Sequence, residues 1–118
     1  MKIRGTDKVV CCCSWGQVRS VATRKILFEK YGMDNVLACG IDRNGTETLD
    51  MLFAWADVIV VAGEQRLADK VPSQWFHKLI HFDIGEDRWG NAFSESLANR
   101  LMPMVKQVID LSTFRQPA

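Results

Sequence analysis

An α/β fold built on an open parallel sheet follows from three features of the sequence. Short apolar runs without polar alternation, residues 8–13 and Val58–Ala62, read as strands buried on both faces. Segments whose apolar residues recur at helical spacing lie between such runs, with glycines or polar clusters at each change. A chain of 118 residues, 47% hydrophobic and 25% charged, has the size and composition of one domain spanning residues 1–118, not of a disordered or fibrous chain. A three-layer arrangement is therefore expected, with helices on both faces of the sheet.

Each element has its own justification. After a polar start, residues 8–13 form the first strand, and Gly16 breaks the pattern. From Arg19 onward Val21, Ala22, Ile26, Leu27 and Tyr31 recur at helical spacing as far as Gly32, a C-terminal stop. Residues 36–39 make a second strand that ends at Gly40. A polar loop over 41–45 leads to Thr46, the expected cap of a helix through Trp55 with Leu49, Leu52, Phe53 and Ala56 on its inner face. Asp57 then precedes Val58–Ala62, the most strand-like run in the chain, and residues 63–71 hold a short helix ahead of Pro72. Residues 78–82 give the fourth strand, 83–91 a polar, glycine-containing loop, and 94–111 the last helix. Ligand sites of open parallel sheets lie at the carboxyl ends of the strands, where Cys13 and Asp83 fall.

Composition narrows the function classes. Fifteen Lys and Arg against fourteen Asp and Glu leave a net charge of +1, without the basic excess of a nucleic-acid reader. The longest apolar stretches fall far short of the ~18 residues of a membrane span, and residues 1–10 carry no signal-peptide apolar region. A soluble, cytoplasmic protein without nucleic-acid or membrane partners is the expectation. Cys11, Cys12 and Cys13 are consecutive and Cys39 lies alone, which is neither a disulfide framework nor a paired zinc pattern, so reduced thiols are expected.

The segment Cys13-Ser14-Trp15-Gly16-Gln17-Val18-Arg19-Ser20 places Cys, five residues, Arg and Ser where a strand turns into a helix. A loop of that length at a helix N-terminus turns the backbone N–H groups of residues Ser14, Trp15, Gly16, Gln17 and Val18 inward, forming a nest for a phosphate or sulfate anion above the sulfur. The same dipoles favour thiolate over thiol and make Cys13 a nucleophile at neutral pH. Arg19 can hold two phosphoryl oxygens with its planar fork, and Ser20 can donate its hydroxyl hydrogen to the sulfur. Without Cys13 six positions earlier, Arg19 would read as a solvated helix residue, and Cys11 and Cys12 read as buried packing residues.

With this loop the sequence resembles the low-molecular-weight protein tyrosine phosphatase family. Trp55-Ala56-Asp57-Val58-Ile59-Val60-Val61 looks like that family's entry to its third strand, and Phe82-Asp83-Ile84-Gly85-Glu86-Asp87 like the Asp-rich loop of its short bacterial and phage-type members. The resemblance spans essentially the whole chain. It implies a four-stranded parallel sheet of order 2-1-3-4 and hydrolysis of a phosphomonoester through a phosphocysteine, on a phosphorylated protein or a small phosphomonoester, with no metal and no cofactor.

The chain departs from the family at three places. Trp15-Gly16 stands where Gly-Asn is usual, so an Asn that braces the loop is missing and Gly16 is left to supply left-handed backbone geometry. Val18 stands where many members carry a second, protective cysteine, so redox protection comes from Cys12 or is absent. No Asp-Pro is present for the general acid, so Asp87, nearer the loop tip, is the expected proton donor and Asp83 the alternative.

Trp15 and Trp89 are expected to line the site as an aromatic wall, and Trp55 and Trp75 to pack in the core or at an interface. The plainer readings are a solvated acidic turn for Asp83, Glu86 and Asp87, and a helix terminator for Asp57. His77 and His81 lack partners at metal-ligand spacing. The rival functions are a non-catalytic phosphate-binding module, a phosphocysteine carrier like those of sugar phosphotransferase systems, and an arsenate reductase that would relay a disulfide through Cys39.

Overall fold

The computed structural model describes residues 1–114 of the chain. The strands are β1 (Val9–Cys13), β2 (Val36–Gly40), β3 (Val58–Ala62) and β4 (Leu79–Phe82); the helices are α1 (Arg19–Tyr31), α2 (Thr46–Trp55), α3 (Gln65–Asp69) and α4 (Glu95–Val108). All strand pairs are parallel and the order is β2-β1-β3-β4, with Cys12 opposite Cys39 and Val61. Every residue of β1 and β3 is buried, which is why their sequences show no polar alternation.

The two-residue period of the strands divides the core into two. Val9, Cys11, Val58, Val60, Ile80 and Phe82 face α1 and α4, where they meet Ala22, Ile26, Leu27, Leu97, Leu101 and Val105. Val10, Cys12, Cys39, Ile59 and Val61 face α2 and α3 and meet Phe53, Ala56, Leu67 and Ala68. Trp55 and Trp75 pack against this second cluster. The layers are thus α1/α4, sheet, α2/α3, the arrangement expected from the sequence, and the strand order is the one the resemblance implies. Leu97, Leu101 and Val105, four residues apart, form the buried stripe of α4, whose N-terminus is capped where Ser94 Oγ accepts from the Leu97 N–H at 3.3 Å.

Several boundaries differ from the sequence reading: β1 begins at Val9 rather than residue 8, and Ser94 caps α4 rather than opening it. Gly45, not Thr46, occupies the cap position of α2, and Thr46 is its first helical residue. Lys78 belongs to a 3₁₀ turn rather than to β4, and its ammonium donates to the carbonyls of Phe53 and Ala56 at 2.7 and 2.6 Å, closing the end of α2. The last helix stops at Val108 instead of Leu111 because Ile109 leaves it to pair with Ile3. Asp57 braces the start of β1 by accepting from the Lys8 N–H at 2.9 Å.

Among the described residues no helix is long and apolar enough to cross a membrane.

Candidate functional site

The carboxyl end of β1 delivers Cys13 to the floor of a cleft of about 310 Å³. Its walls are Ser14, Trp15, Gln17, Val18, Arg19, Glu64, Arg66, Glu86 and Asp87. The β1–α1 loop can curl over the sulfur because Gly16 is left-handed, at φ 75°. That turn also presses the loop onto β2: a Cβ on Gly16 would lie 2.6 Å from the Cys39 carbonyl carbon, and one on Gly40 would lie 2.4 Å from that of Trp15.

Cys13 Sγ lies 3.2 Å from the Ser20 hydroxyl and accepts from the Gly16 N–H at 3.2 Å. Burial pushes the thiol up, but hydrogen bonds from the Ser20 hydroxyl and from the N–H groups of Ser20, Gly16 and Val18 outweigh it, and Cys13 titrates below its ordinary value of 9.0. The neighbouring thiols behave oppositely. Burial holds Cys11 far up, and Cys12 is raised by its hydrogen bond with Cys39, 3.3 Å away, and by burial. All four cysteines are free thiols, and Cys12 and Cys39 lie on the α2/α3 side of the sheet.

Arg19, the first residue of α1, is 2% exposed. Its Nη1 donates to Glu64 Oε1 at 2.8 Å and to the Gly85 carbonyl at 2.6 Å. Its Nε is buried without a hydrogen-bond partner among the described residues, a donor that an anion in the cleft can satisfy. Space for the guanidinium exists because residue 63 has no side chain: a Cβ there would sit 2.7 Å from Arg19 Nη1. Burial raises the Glu64 carboxyl, but its own backbone N–H, Arg19 and Arg66 together hold it below its ordinary value.

A second network supports the opposite wall. The Ser14 hydroxyl donates to the Asp42 carboxylate, which also accepts from Arg66 at 2.8 and 3.1 Å and from Lys70 at 2.7 Å. Hydrogen bonds from Arg66, then Lys70, then Ser14 hold the Asp42 carboxyl well below the usual carboxylate range.

The structure brings Cys13, Ser14, Trp15, Gly16, Gln17, Val18, Arg19, Ser20 and Asp87 together, but separates two other residues from them. Asp87 lines the cleft while its Oδ1 accepts from the N–H groups of Trp89 and Gly90 at 3.0 and 3.2 Å. Asp83, the alternative acid, is exposed and off the cleft; its carbonyl accepts from Arg100 at 3.5 Å. Trp89 does not form an aromatic wall, because it packs half-buried against the α1/α4 core. Trp15 stands alone in that role at 60% exposure, with the Arg43 guanidinium 5.8 Å from its ring. His81 Nε2 is 2.8 Å from the Gly63 carbonyl, and no group of three or more metal-ligating side chains occurs among the described residues.

Gly63, Glu64 and Asp42 were not singled out from the sequence. One signal was available, since Gly63-Glu64 follows β3 directly and so lies at a strand's carboxyl end. No family model, curated protein or solved structure matches the chain.

Proposed function

We propose that the protein is a cysteine-dependent phosphomonoesterase of the low-molecular-weight protein tyrosine phosphatase type. The observation that carries this reading is the buried, unpartnered Nε of Arg19 in a cleft floored by a Cys13 thiol that is stabilised as thiolate. A tetrahedral oxyanion over the sulfur satisfies that donor and receives the remaining N–H groups of the loop.

Cys13 Sγ attacks phosphorus in line, forming the S–P bond as the ester P–O bond breaks. Asp87, on the cleft wall, gives its proton to the leaving oxygen. Water then attacks the phosphocysteine, Asp87 takes back a proton, inorganic phosphate leaves, and the Ser20 hydroxyl stabilises the departing thiolate. Trp15 offers a face for the group that carries the phosphate, either a side chain of a phosphorylated protein or a small phosphomonoester. The reaction requires no metal, since Arg19 and the loop amides supply the charge stabilisation. Free thiols suit a reducing cytoplasm. The placement of Cys12 and Cys39 behind the sheet supports hydrolysis over arsenate reduction, which needs a second thiol within reach of the first.

Hydrolysis of p-nitrophenyl phosphate by the reduced protein and by Cys13→Ser, without added metal and across pH 5–8, tests the reading. Turnover that vanishes in Cys13→Ser is the expected result. Absence of turnover in the reduced wild type, with inorganic phosphate still bound, would overturn hydrolysis in favour of a carrier or binding module.

A further inference from the structure

We infer that Asp42 is a positioning residue for the nucleophile loop, acting through Ser14. Within the first half of the loop, the Gly16 N–H bonds back to Cys13 Sγ, and that bond does not hold Ser14. Residues 14–17 form no helix or strand, and their side chains make one hydrogen bond among the described residues, from Ser14 to Asp42. Asp42 grips Ser14 twice: its backbone N–H donates to the Ser14 carbonyl at 2.9 Å, and its carboxylate accepts from the Ser14 hydroxyl. The adjacent Ile41 N–H donates to the Cys13 carbonyl at 2.8 Å, so the β2–α2 loop is stitched to the nucleophile and to the residue after it.

The Asp42 carboxylate is itself held from α3 and its C-terminal end. Arg66 binds both of its oxygens and Lys70 binds one. Arg66 Nε also lies 3.6 Å from Glu64 Oε2, and Glu64 anchors Arg19. One arginine therefore ties the Ser14 wall to the Arg19 wall. Asp42 is not among the cleft-lining residues, so its effect on an anion passes through Ser14. Exposed ion pairs of this kind add little to stability. Their service here is to hold the loop amides in register over Cys13, a role that Trp15-Gly16 does not fill: glycine has no side chain, and the Trp15 ring makes no hydrogen bond among the described residues.

The groups around Cys13 make the test decisive. Arg19, Glu64, Arg66, Glu86 and Asp87 face the cleft with it, and Asp42 adds a negative charge behind Ser14. If Asp42 acted only through its charge, removing it would stabilise the thiolate and lower the titration point of Cys13. If it positions the loop, removing it lets the Gly16 and Val18 amides drift from the sulfur and raises that point.

The experiment compares full-length wild type, Asp42→Ala, Asp42→Asn and Ser14→Ala. It measures Cys13 ionisation from ultraviolet thiolate absorbance against Cys13→Ser, inorganic phosphate affinity, and melting temperature. Asp42→Ala and Ser14→Ala are expected to raise the titration point and weaken phosphate binding about tenfold, the weight of one charge-assisted hydrogen bond. Asp42→Asn, whose amide oxygen still accepts from Ser14, is expected to retain most of both. A lowered or unchanged titration point in a folded Asp42→Ala overturns the inference, as does an Asp42→Asn equally impaired. Should Asp42→Ala fail to fold, Ser14→Ala decides by the same criteria. The inference deepens the phosphomonoesterase reading and rests on it for its meaning in turnover. Ionisation and phosphate binding are nevertheless read without turnover, so failure of hydrolysis in the wild type is a separate result.

Discussion

Arg19 and Glu64 stand 45 residues apart in the chain and meet at 2.8 Å, with the arginine side chain 3% exposed and the glutamate 18%. The pairing turns the guanidinium so that Nη1 is spent on Glu64 and Gly85 while Nε stays buried and unpartnered among the described residues. Glu64→Ala removes the carboxylate that sets this orientation. We expect kcat/KM for p-nitrophenyl phosphate to fall about 10- to 100-fold, the equivalent of one charged hydrogen bond, and stability to fall by about 2 kcal/mol. Glu64→Gln should fall between wild type and Glu64→Ala. Steady-state kinetics with urea titrations check this, and unchanged kcat/KM in Glu64→Ala would remove Glu64 from the site.

The four thiols should separate by reactivity. Only Cys13 both lines the cleft and titrates below its ordinary value, whereas burial raises Cys11 and its hydrogen bond with Cys39, together with burial, raises Cys12. Native protein treated with iodoacetate near neutral pH is expected to gain a single carboxymethyl group at Cys13, and Cys13→Ser none. Mass spectrometry reads the count directly. A second adduct on native protein would show that β1 and β2 open far more readily than their burial implies.

The strands and the Cys13 loop were legible because both depend on local sequence. Val58–Ala62 is apolar on both faces and so reads as a central strand, and the Cys-x5-Arg-Ser spacing is confined to one loop. Lys78 was misplaced because its position is set by carbonyls of α2, more than 20 residues earlier. Trp89 was misjudged because nearness to the site in sequence carries no information about which way a loop residue turns. Glu64 and Asp42 escaped for a related reason: each acts through a partner 24 to 45 residues away, and a place just past a strand's carboxyl end does not say which partner a carboxylate meets.

Thermal stability should carry the imprint of the Cys13 ionisation. Cys13 titrates lower in the folded protein than its ordinary value of 9.0, so the native state favours the thiolate more than the unfolded chain does. For such a group the stabilisation is fully present above 9.0 and is lost as pH falls through the folded-state titration point. The difference in Tm between wild type and Cys13→Ser should therefore widen as pH rises toward 9.0 and then level off. Scanning calorimetry of both proteins across that range tests the sign. A difference that narrows with rising pH would mean that burial outweighs the hydrogen bonds at the sulfur.

Asp87 and Asp83 separate the chemistry from the loop that carries it. Asp87 lines the cleft with Cys13, while Asp83 is exposed and off the cleft. A proton donor matters most when the leaving oxygen is basic, so the two substitutions should diverge on phenyl phosphate and converge on p-nitrophenyl phosphate, whose leaving group departs without help. Asp87→Asn is expected to lose about 10²- to 10⁴-fold in kcat on phenyl phosphate, the usual weight of general acid catalysis. The loss on the nitrophenyl ester should be much smaller, and Asp83→Asn should remain near wild type on both. The Asp87 side chain also orders the Trp89–Gly90 turn through its Oδ1, and an asparagine keeps that acceptor. Damage to the turn is therefore not an explanation for the expected loss. Equal and small losses for both variants on phenyl phosphate would remove Asp87 as the acid and leave the leaving oxygen to be protonated by water.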